Sequence, residues 1–205
     1  MTITWYGHSC FLLSSTNGSV VFDPYFPGSV PGLRLPELSA DAVICSHGHD
    51  DHNYAAGVAL SGKIPSLKIR RFNTWHDDAG GAKRGKNIMT IVESEGLRVL
   101  HMGDLGHMLS AAQLAALGCI DVLFIPVGGY YTIDARQAAE LVRKIAPRVT
   151  VPMHYRGSGF GYDVIGTVDD FLACTGGRIV RLSGPEFDPA LFEAPVTIVP
   201  ECPCG

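Results

Sequence analysis

Ser46-His47-Gly48-His49-Asp50-Asp51-His52 puts three histidines and two aspartates into seven residues. The apolar run Ala42-Val43-Ile44-Cys45 before it has the composition of a buried strand. After Asn53 and Tyr54, the stretch Ala55-Ala56-Gly57-Val58-Ala59-Leu60 reads as a short helix. The cluster is therefore expected on a strand-to-helix turn, where side chains converge above a sheet edge. Neutral imidazole is the commonest protein ligand for a transition metal. A carboxylate among imidazoles suits Zn, Mn or Fe better than Cu(I). His47 and His49 are two apart, so in an extended segment both point to one side and reach one cation. Asp51 and His52 lie past the turn and can face a second. A helical zinc-protease motif fits poorly, because its histidines are spaced by four around a Glu.

The pattern His47-x-His49-x-Asp51-His52 resembles the signature of the metallo-β-lactamase superfamily. The opening Thr4-Trp5-Tyr6-Gly7-His8-Ser9-Cys10-Phe11-Leu12-Leu13 is similar to the start of its ascorbate-6-phosphate-lactonase-like branch. That branch includes many uncharacterised hydrolases and is related to the phospholipase D that acts on N-acyl phosphatidylethanolamine. The resemblance spans nearly the whole chain. It implies an α/β fold, the four-layer αββα sandwich, with metals at the rim between two sheets.

Completing two metal sites takes three further ligands, and strand ends are where α/β sheets gather them. His76 ends an expected strand, Leu67 to Trp75. Asp104 follows Leu97 to Met102, and His154 follows Val149 to Pro152. On the superfamily pattern, His47, His49 and His76 hold the first metal. Asp51, His52 and His154 hold the second, and Asp104 bridges both. His101 competes with His76 for the third histidine position. His8 reads either as a structural histidine bonded to backbone or as one that orients a metal ligand.

At 205 residues the chain is expected to form one domain, 1–205. A hydrophobic content of 46% with 18% charged residues is that of a globular core. The formal net charge of −4 offers no footprint for nucleic acid. No apolar run reaches membrane-spanning length, and no secretory signal is visible, so a cytoplasmic protein is expected. Cys10, Cys45, Cys119 and Cys174 sit in apolar contexts and read as free, buried and inert. Cys202-Pro203-Cys204 lies in a terminal tail expected to fray.

The first half reads as hairpins. Ile3 to Tyr6, Cys10 to Ser15 and Ser19 to Asp23 are strands, with a turn at Thr16-Asn17-Gly18. A Pro/Gly-rich loop then runs to Pro36. Asn87 to Glu93 and Leu97 to Met102 form a second hairpin. The second half alternates helix and strand. Ser110, Asp134 and Thr167 are expected to cap helices over 111–117, 135–145 and 168–174. Strands are expected over 121–127, 149–152, 178–182 and 196–199, and 183–195 reads as loop.

Around the metal ligands, four residues are candidates for substrate contact. Arg84, in the Gly-rich loop 77–86, can fork onto a phosphate or carboxylate. Tyr130 and Tyr131 end a strand and could position substrate or offset oxyanion charge. His107 lies just past Asp104. Tyr155 and Arg156, beside His154, come second. No serine nucleophile elbow is present, since Gly157-Ser158-Gly159 does not match one.

The function expected is a metal-dependent hydrolase with two divalent ions, Zn by default and Mn or Fe compatible. A hydroxide shared by the two ions would attack an ester, lactone, thioester or phosphodiester in a small, anionic substrate. Asp104 bridges the ions, and Asp51 or the free carboxylate of Asp50 moves the proton. Two other readings are a di-iron redox protein of the same fold and a metal-free binding protein. The first usually carries an attached flavin or rubredoxin domain, for which 205 residues leave no room. The second is hard to square with a full set of ligands.

Overall fold

Alternation along β2 (Phe11–Ser15) and β3 (Gly18–Phe22) feeds two cores at once. Phe11, Leu13, Val20 and Phe22 join the main core, whereas Leu12 and Val21 join a smaller cluster on the opposite face. Period-two side-chain placement demands this when both faces of a sheet are covered. In this computed structural model, which describes residues 1–203, β2 and β3 pair antiparallel with Phe11 opposite Phe22. β1 (Thr2–Trp5) pairs antiparallel with the other edge of β2. β5 (Ala42–Ile44) lies parallel to β3, so the strand leading into the histidine cluster ends at the same rim as β1 and β3. The full order is β13-β1-β2-β3-β5, with β13 the two-residue strand Glu186–Phe187.

The second sheet has seven strands, ordered β12-β14-β11-β10-β9-β8-β7. β7 (Lys68–Trp75), β8 (Lys86–Ser94) and β9 (Leu97–His101) form an antiparallel meander. β10 (Val122–Pro126), β11 (Val149–Met153), β14 (Val196–Val199) and β12 (Arg178–Arg181) continue it in parallel. The two sheets pack face to face across Phe11, Phe22, Phe124, Leu100 and Ile91, all at most 1% exposed. Each such side chain contributes about 1.5–3 kcal/mol by leaving water.

Helices α1 (Ala111–Leu117), α2 (Ala135–Ile145) and α3 (Val168–Thr175) alternate with the parallel strands and pack on this second sheet. The expected caps all form, and each is a reciprocal capping box: Ser110 with Gln113, Asp134 with Gln137, Thr167 with Asp170. The chain thus has the expected sandwich fold.

The outer face of the first sheet is covered differently. Tyr25, Val30 and Leu33 of the Pro/Gly-rich loop pack there with Leu38, Ala40 and Val58. The last three belong to a small parallel pair, β4 (Leu38–Ala40) and β6 (Val58–Leu60). This pair overturns the helix expected over 55–60. Only a 3₁₀ turn forms, Ala55–Gly57, because Val58 leaves it to pair with Leu38. β13 likewise lies inside the stretch expected to be loop, too short to show a period of its own. Cys119 is exposed rather than buried, while Cys10 is buried and Cys45 and Cys174 are half-buried. The expected frayed tail falls partly outside the description: Cys204 and Gly205 are not among the described residues, and Cys202 packs against both cores. Among the described residues, no helix is long and apolar enough to cross a membrane.

Candidate metal centre

Parallel strands end at one rim, and this chain loads that rim with imidazole and carboxylate. His47, His49, Asp51 and His52 follow β5, His76 follows β7, Asp104 follows β9 and His154 follows β11. Asp104 is the meeting point. Its Oδ1 lies 3.2 Å from His52 Nε2, and its Oδ2 lies 3.2 Å from His76 Nε2 and 3.1 Å from His154 Nε2. His47, His49 and His76 bring their ring nitrogens within 4.8 Å of one another, and so do His47, His52 and Asp104.

Asp104 is set by its neighbours' backbone. Asn87, fully buried at the start of β8, accepts the Asp104 N–H at 2.9 Å and donates to the Met102 carbonyl and to Thr74 Oγ1, each at 2.9 Å. Gly103 takes φ 55°, and a Cβ there would stand 2.5 Å from the Ser46 Cβ. Only glycine lets the end of β9 close on the Ser46-His47 turn.

Asp23, at the end of β3, fixes the other side. Its carboxylate accepts the Ser46 N–H and O–H, both at 2.6 Å, and His52 Nδ1–H at 2.8 Å. Ser46 Oγ in turn accepts His47 Nδ1–H at 2.9 Å. Both imidazoles are thereby held through Nδ1 with Nε2 turned inward, as a carboxylate–histidine–metal arrangement requires. Nothing in the sequence flags Asp23 or Asn87. Each is a lone polar residue at a strand end, and its partners come from other strands.

Whether these residues suit a cation can be tested on their unmet bonds. His47 Nε2, His52 Nε2, His154 Nε2 and Asp104 Oδ1 are buried with no hydrogen-bond partner among the described residues. Leaving so many polar atoms buried and unpaired is costly, unless they share a cation. His52 Nε2 and Asp104 Oδ1 stand 3.2 Å apart, close enough for both to face one cation. The donor set therefore fits a metal.

Protonation states agree. Burial, reinforced by His52, pushes the His47 imidazole down to about 3, so it is neutral at pH 7. Burial alone would raise the Asp104 carboxyl, but His154 and His52 outweigh it and hold it well below the usual range. Burial also opposes charge on His52, yet Asp104 and Asp23 win and raise it well above 6.5. A cation at His52 would displace that proton, so binding there releases one.

His76 and His101 separate cleanly. His101 points between the sheets, stacked on Phe22 at 4.9 Å, with Nε2 bonded to the Ser9 carbonyl at 2.9 Å and Nδ1 accepting Gly103 N–H at 3.1 Å. Both its nitrogens are spent, and it is a core histidine.

A cavity of about 300 Å³ opens beside the cluster, lined by His49, Asp51, His76, Arg84, Asp104, Tyr131 and Tyr162. Arg84 and Tyr131 are thus at the cavity, with the guanidinium 5.5 Å above the tyrosine ring. Tyr162 was not anticipated. Its hydroxyl bonds the Ser29 carbonyl at 2.8 Å and lies 3.3 Å from Asp51 Oδ2. It sits in a Gly-rich turn with no periodicity to mark it.

Four expectations are corrected. Asp50 is exposed and does not line the cavity, because the turn sends adjacent side chains to opposite sides and only Asp51 points in. Tyr130, at φ 59°, projects into solvent and meets the cavity only through Tyr131, ring to ring at 4.8 Å. His107 pins backbone: Nδ1 bonds the Met108 carbonyl at 2.9 Å, and Nε2 accepts the Trp75 N–H at 3.3 Å. Tyr155 and Arg156 line a different cavity.

Two packed sheets with imidazoles and carboxylates gathered on one rim define a class, the metallo-β-lactamase fold. A profile described as a beta-lactamase superfamily domain matches residues 2–154. A Thermotoga maritima crystal structure, assigned to the Zn-dependent hydrolases of the metallo-β-lactamase superfamily, is 34% identical with TM-score 0.75 and covers 97% of each chain. Proteins named UPF0173 metal-dependent hydrolases from Archaeoglobus fulgidus and Thermoplasma acidophilum are 28% and 26% identical. Each match takes in 76% of this chain and 83% of the relative. The chain belongs to the metallo-β-lactamase superfamily and stands among its metal-dependent hydrolases.

Proposed function

We propose that the rim holds two divalent cations and that the enzyme hydrolyses a small ester, lactone or phosphodiester carrying an anionic group. The observation that carries this is Asp104: one carboxylate within 3.1–3.2 Å of three imidazoles from three separate strand ends. In this reading His47, His49 and His76 hold one ion, Asp51, His52 and His154 the other, and Asp104 both. When bound, such ions act as Lewis acids and lower the pKa of water from 15.7 to about 7. Zn is the default, and Mn and Fe suit the same donors.

The chain's own residues do the rest. Asp51, whose carboxylate faces the cavity, is the group placed to accept and return a proton. Tyr131 shields one side and holds the Arg84 guanidinium flat for an anionic group of the substrate. Tyr162 closes the site over Asp51. Arg84 is the one cationic side chain among the described residues that line the cavity. A single cation suits a carboxylate or phosphodiester better than a dianionic sugar phosphate, which sets the lactonase-like branch behind a broader ester and phosphodiester reading.

Two measurements test this. Elemental analysis of protein purified without added metal should find close to two ions per chain, Zn or Mn. Iron with visible absorbance would favour the redox reading, and no metal the binding protein. Turnover on a panel of lactones, phosphodiesters and thioesters with Zn²⁺ or Mn²⁺ should then follow metal content. Loaded enzyme inert across the panel would overturn the hydrolase reading.

A further inference from the structure

The N-terminal histidine is the part of the rim that this assignment leaves unused. His8 follows β1, is 1% exposed, and its ring centroid lies 4.2 Å from that of His154. The two residues match in further respects. Both are non-glycine residues in left-handed backbone, at φ 50° and 52°. The His154 N–H donates to the His8 carbonyl at 3.2 Å, and Trp5 Nε1–H donates to that same carbonyl at 3.1 Å. Two strained residues tied together persist only where their surroundings over-determine them, and such strain gathers at functional sites.

Three imidazole-to-oxygen hydrogen bonds near the rim are shorter than the one His8 makes: 2.8 Å for His52 to Asp23, 2.9 Å for His47 to Ser46, 2.9 Å for His101 to Ser9. Two donors that share a cation at about 2.0–2.2 Å, at angles near 90–110°, instead stand roughly 2.9–3.6 Å apart. The imidazole-to-carboxylate pairs inside the cluster lie at 3.1, 3.2, 3.2 and 3.6 Å. His8 Nε2 lies 3.3 Å from Asp51 Oδ2, a contact that meets hydrogen-bond geometry and also falls within the range of two donors sharing a cation, so its length fits either role. The ligand atoms of His8, Asp51, His52 and His154 all fall within 4.8 Å of one another.

We infer that His8 Nε2 is a direct ligand of the second cation, beside Asp51, His52 and His154. This rests on the two-cation reading above. With Asp104, the second site then has five protein donors where the first has four. Five donors exceed the four that structural Zn prefers.

The test is the tautomer of His8 in the Zn-loaded wild-type protein, read by long-range ¹⁵N–¹H correlation of histidine side chains. His8→Asn supplies the assignment, since Asn tolerates left-handed backbone. A ligand has Nε2 without a proton and Nδ1–H. A histidine that only orients Asp51 has Nε2–H and a bare Nδ1. Nδ1–H on His8, with two Zn per chain, is the expected result. Nε2–H with two Zn per chain overturns this inference and leaves the two-cation reading intact. Fewer than two Zn per chain overturns both. Should His8→Asn not fold, the wild-type signal of His8 is assigned instead through its proximity to the His154 ring, 4.2 Å away centroid to centroid, and its tautomer still decides.

Discussion

The two halves of the rim are built to different standards. On the side of the first sheet, His47 and His52 are gripped by Ser46 and Asp23, and every member of that relay but His47 is at most 3% exposed. On the side of the second sheet, the cavity wall is a loop. Residues 77–85 have no ladder of their own; one carboxylate gathers them. Asp77 accepts backbone N–H groups from Ala79 and Gly81 at 2.8 Å, from Lys83 at 3.0 Å and from Arg84 at 2.8 Å. The first construction fixes the proposed metal ligands with side chains of neighbouring strands. The second fixes Arg84, the proposed substrate-binding cation, with a knot that a single substitution can untie. Metal binding is therefore expected to be hard to disturb piecemeal, and substrate choice easy.

Asp104 belongs to both halves, so its loss should be the largest effect. Asp104→Ala should lower bound metal and cut kcat/KM by 10² to 10³ or more on an order-of-magnitude reckoning. Elemental analysis beside turnover checks it, and unchanged turnover would remove Asp104 from the centre. Asp23→Asn comes next. It keeps the shape but turns an acceptor of His52 Nδ1–H into a poorer one, and metal affinity should fall about 10- to 100-fold, read by chelator competition. Acid stability gives a second reading of the same residue. Burial opposes ionisation of Asp23, but His101, His52 and Ser46 outweigh it and depress its pKa. A depressed carboxyl stabilises the fold above its unfolded pKa, about 3.9, and that contribution is lost as pH falls through the lower folded value. The urea midpoint of metal-free wild-type protein should thus drop more steeply below about pH 5 than that of Asp23→Asn.

How much of this was legible in the sequence follows the same division. The 46–52 stretch announces itself because its chemistry is contiguous, and the strand ends carrying His76, Asp104 and His154 follow from hydrophobic runs. Roles that depend on which way one side chain turns were not readable. Asp50 and Asp51 are adjacent, and only the turn's geometry sends the second inward. His101 and His76 both end strands, yet one faces Phe22, Phe11 and Phe124 across the core. Asp23 and Asn87 act through groups on other strands, and Tyr162 reaches Asp51 from more than a hundred residues away. The 55–60 helix failed because a short apolar run has no period of its own, and Val58 found a strand partner.

Breaking the knot itself should have a smaller, more selective effect. Asp77→Ala frees four backbone N–H groups and loosens the loop without touching the relay at Asp23. KM for anionic substrates should rise several-fold, while metal affinity at the second site stays as it was. A large loss of both ions would show instead that Asp77 mainly holds its neighbour His76.

Arg84→Ala isolates the last element of the comparison, the cation without its loop. Arg84 is half-buried, with its guanidinium carbon 5.5 Å over the Tyr131 ring, so it meets an anion partly in solvent. A charge-assisted hydrogen bond is worth about 1.5–3 kcal/mol when well shielded. The lower end applies here, which converts to about a tenfold rise in KM for anionic substrates. Neutral esters should be unaffected, and kcat should hold for both, because the guanidinium binds ground and transition states alike. Arg84→Lys should recover only part of the loss, since an ammonium keeps the charge but not the planar fork that lies on the ring. Equal losses on charged and neutral substrates would mean that Arg84 supports the loop rather than the substrate, and that the two halves of the rim differ in rigidity alone.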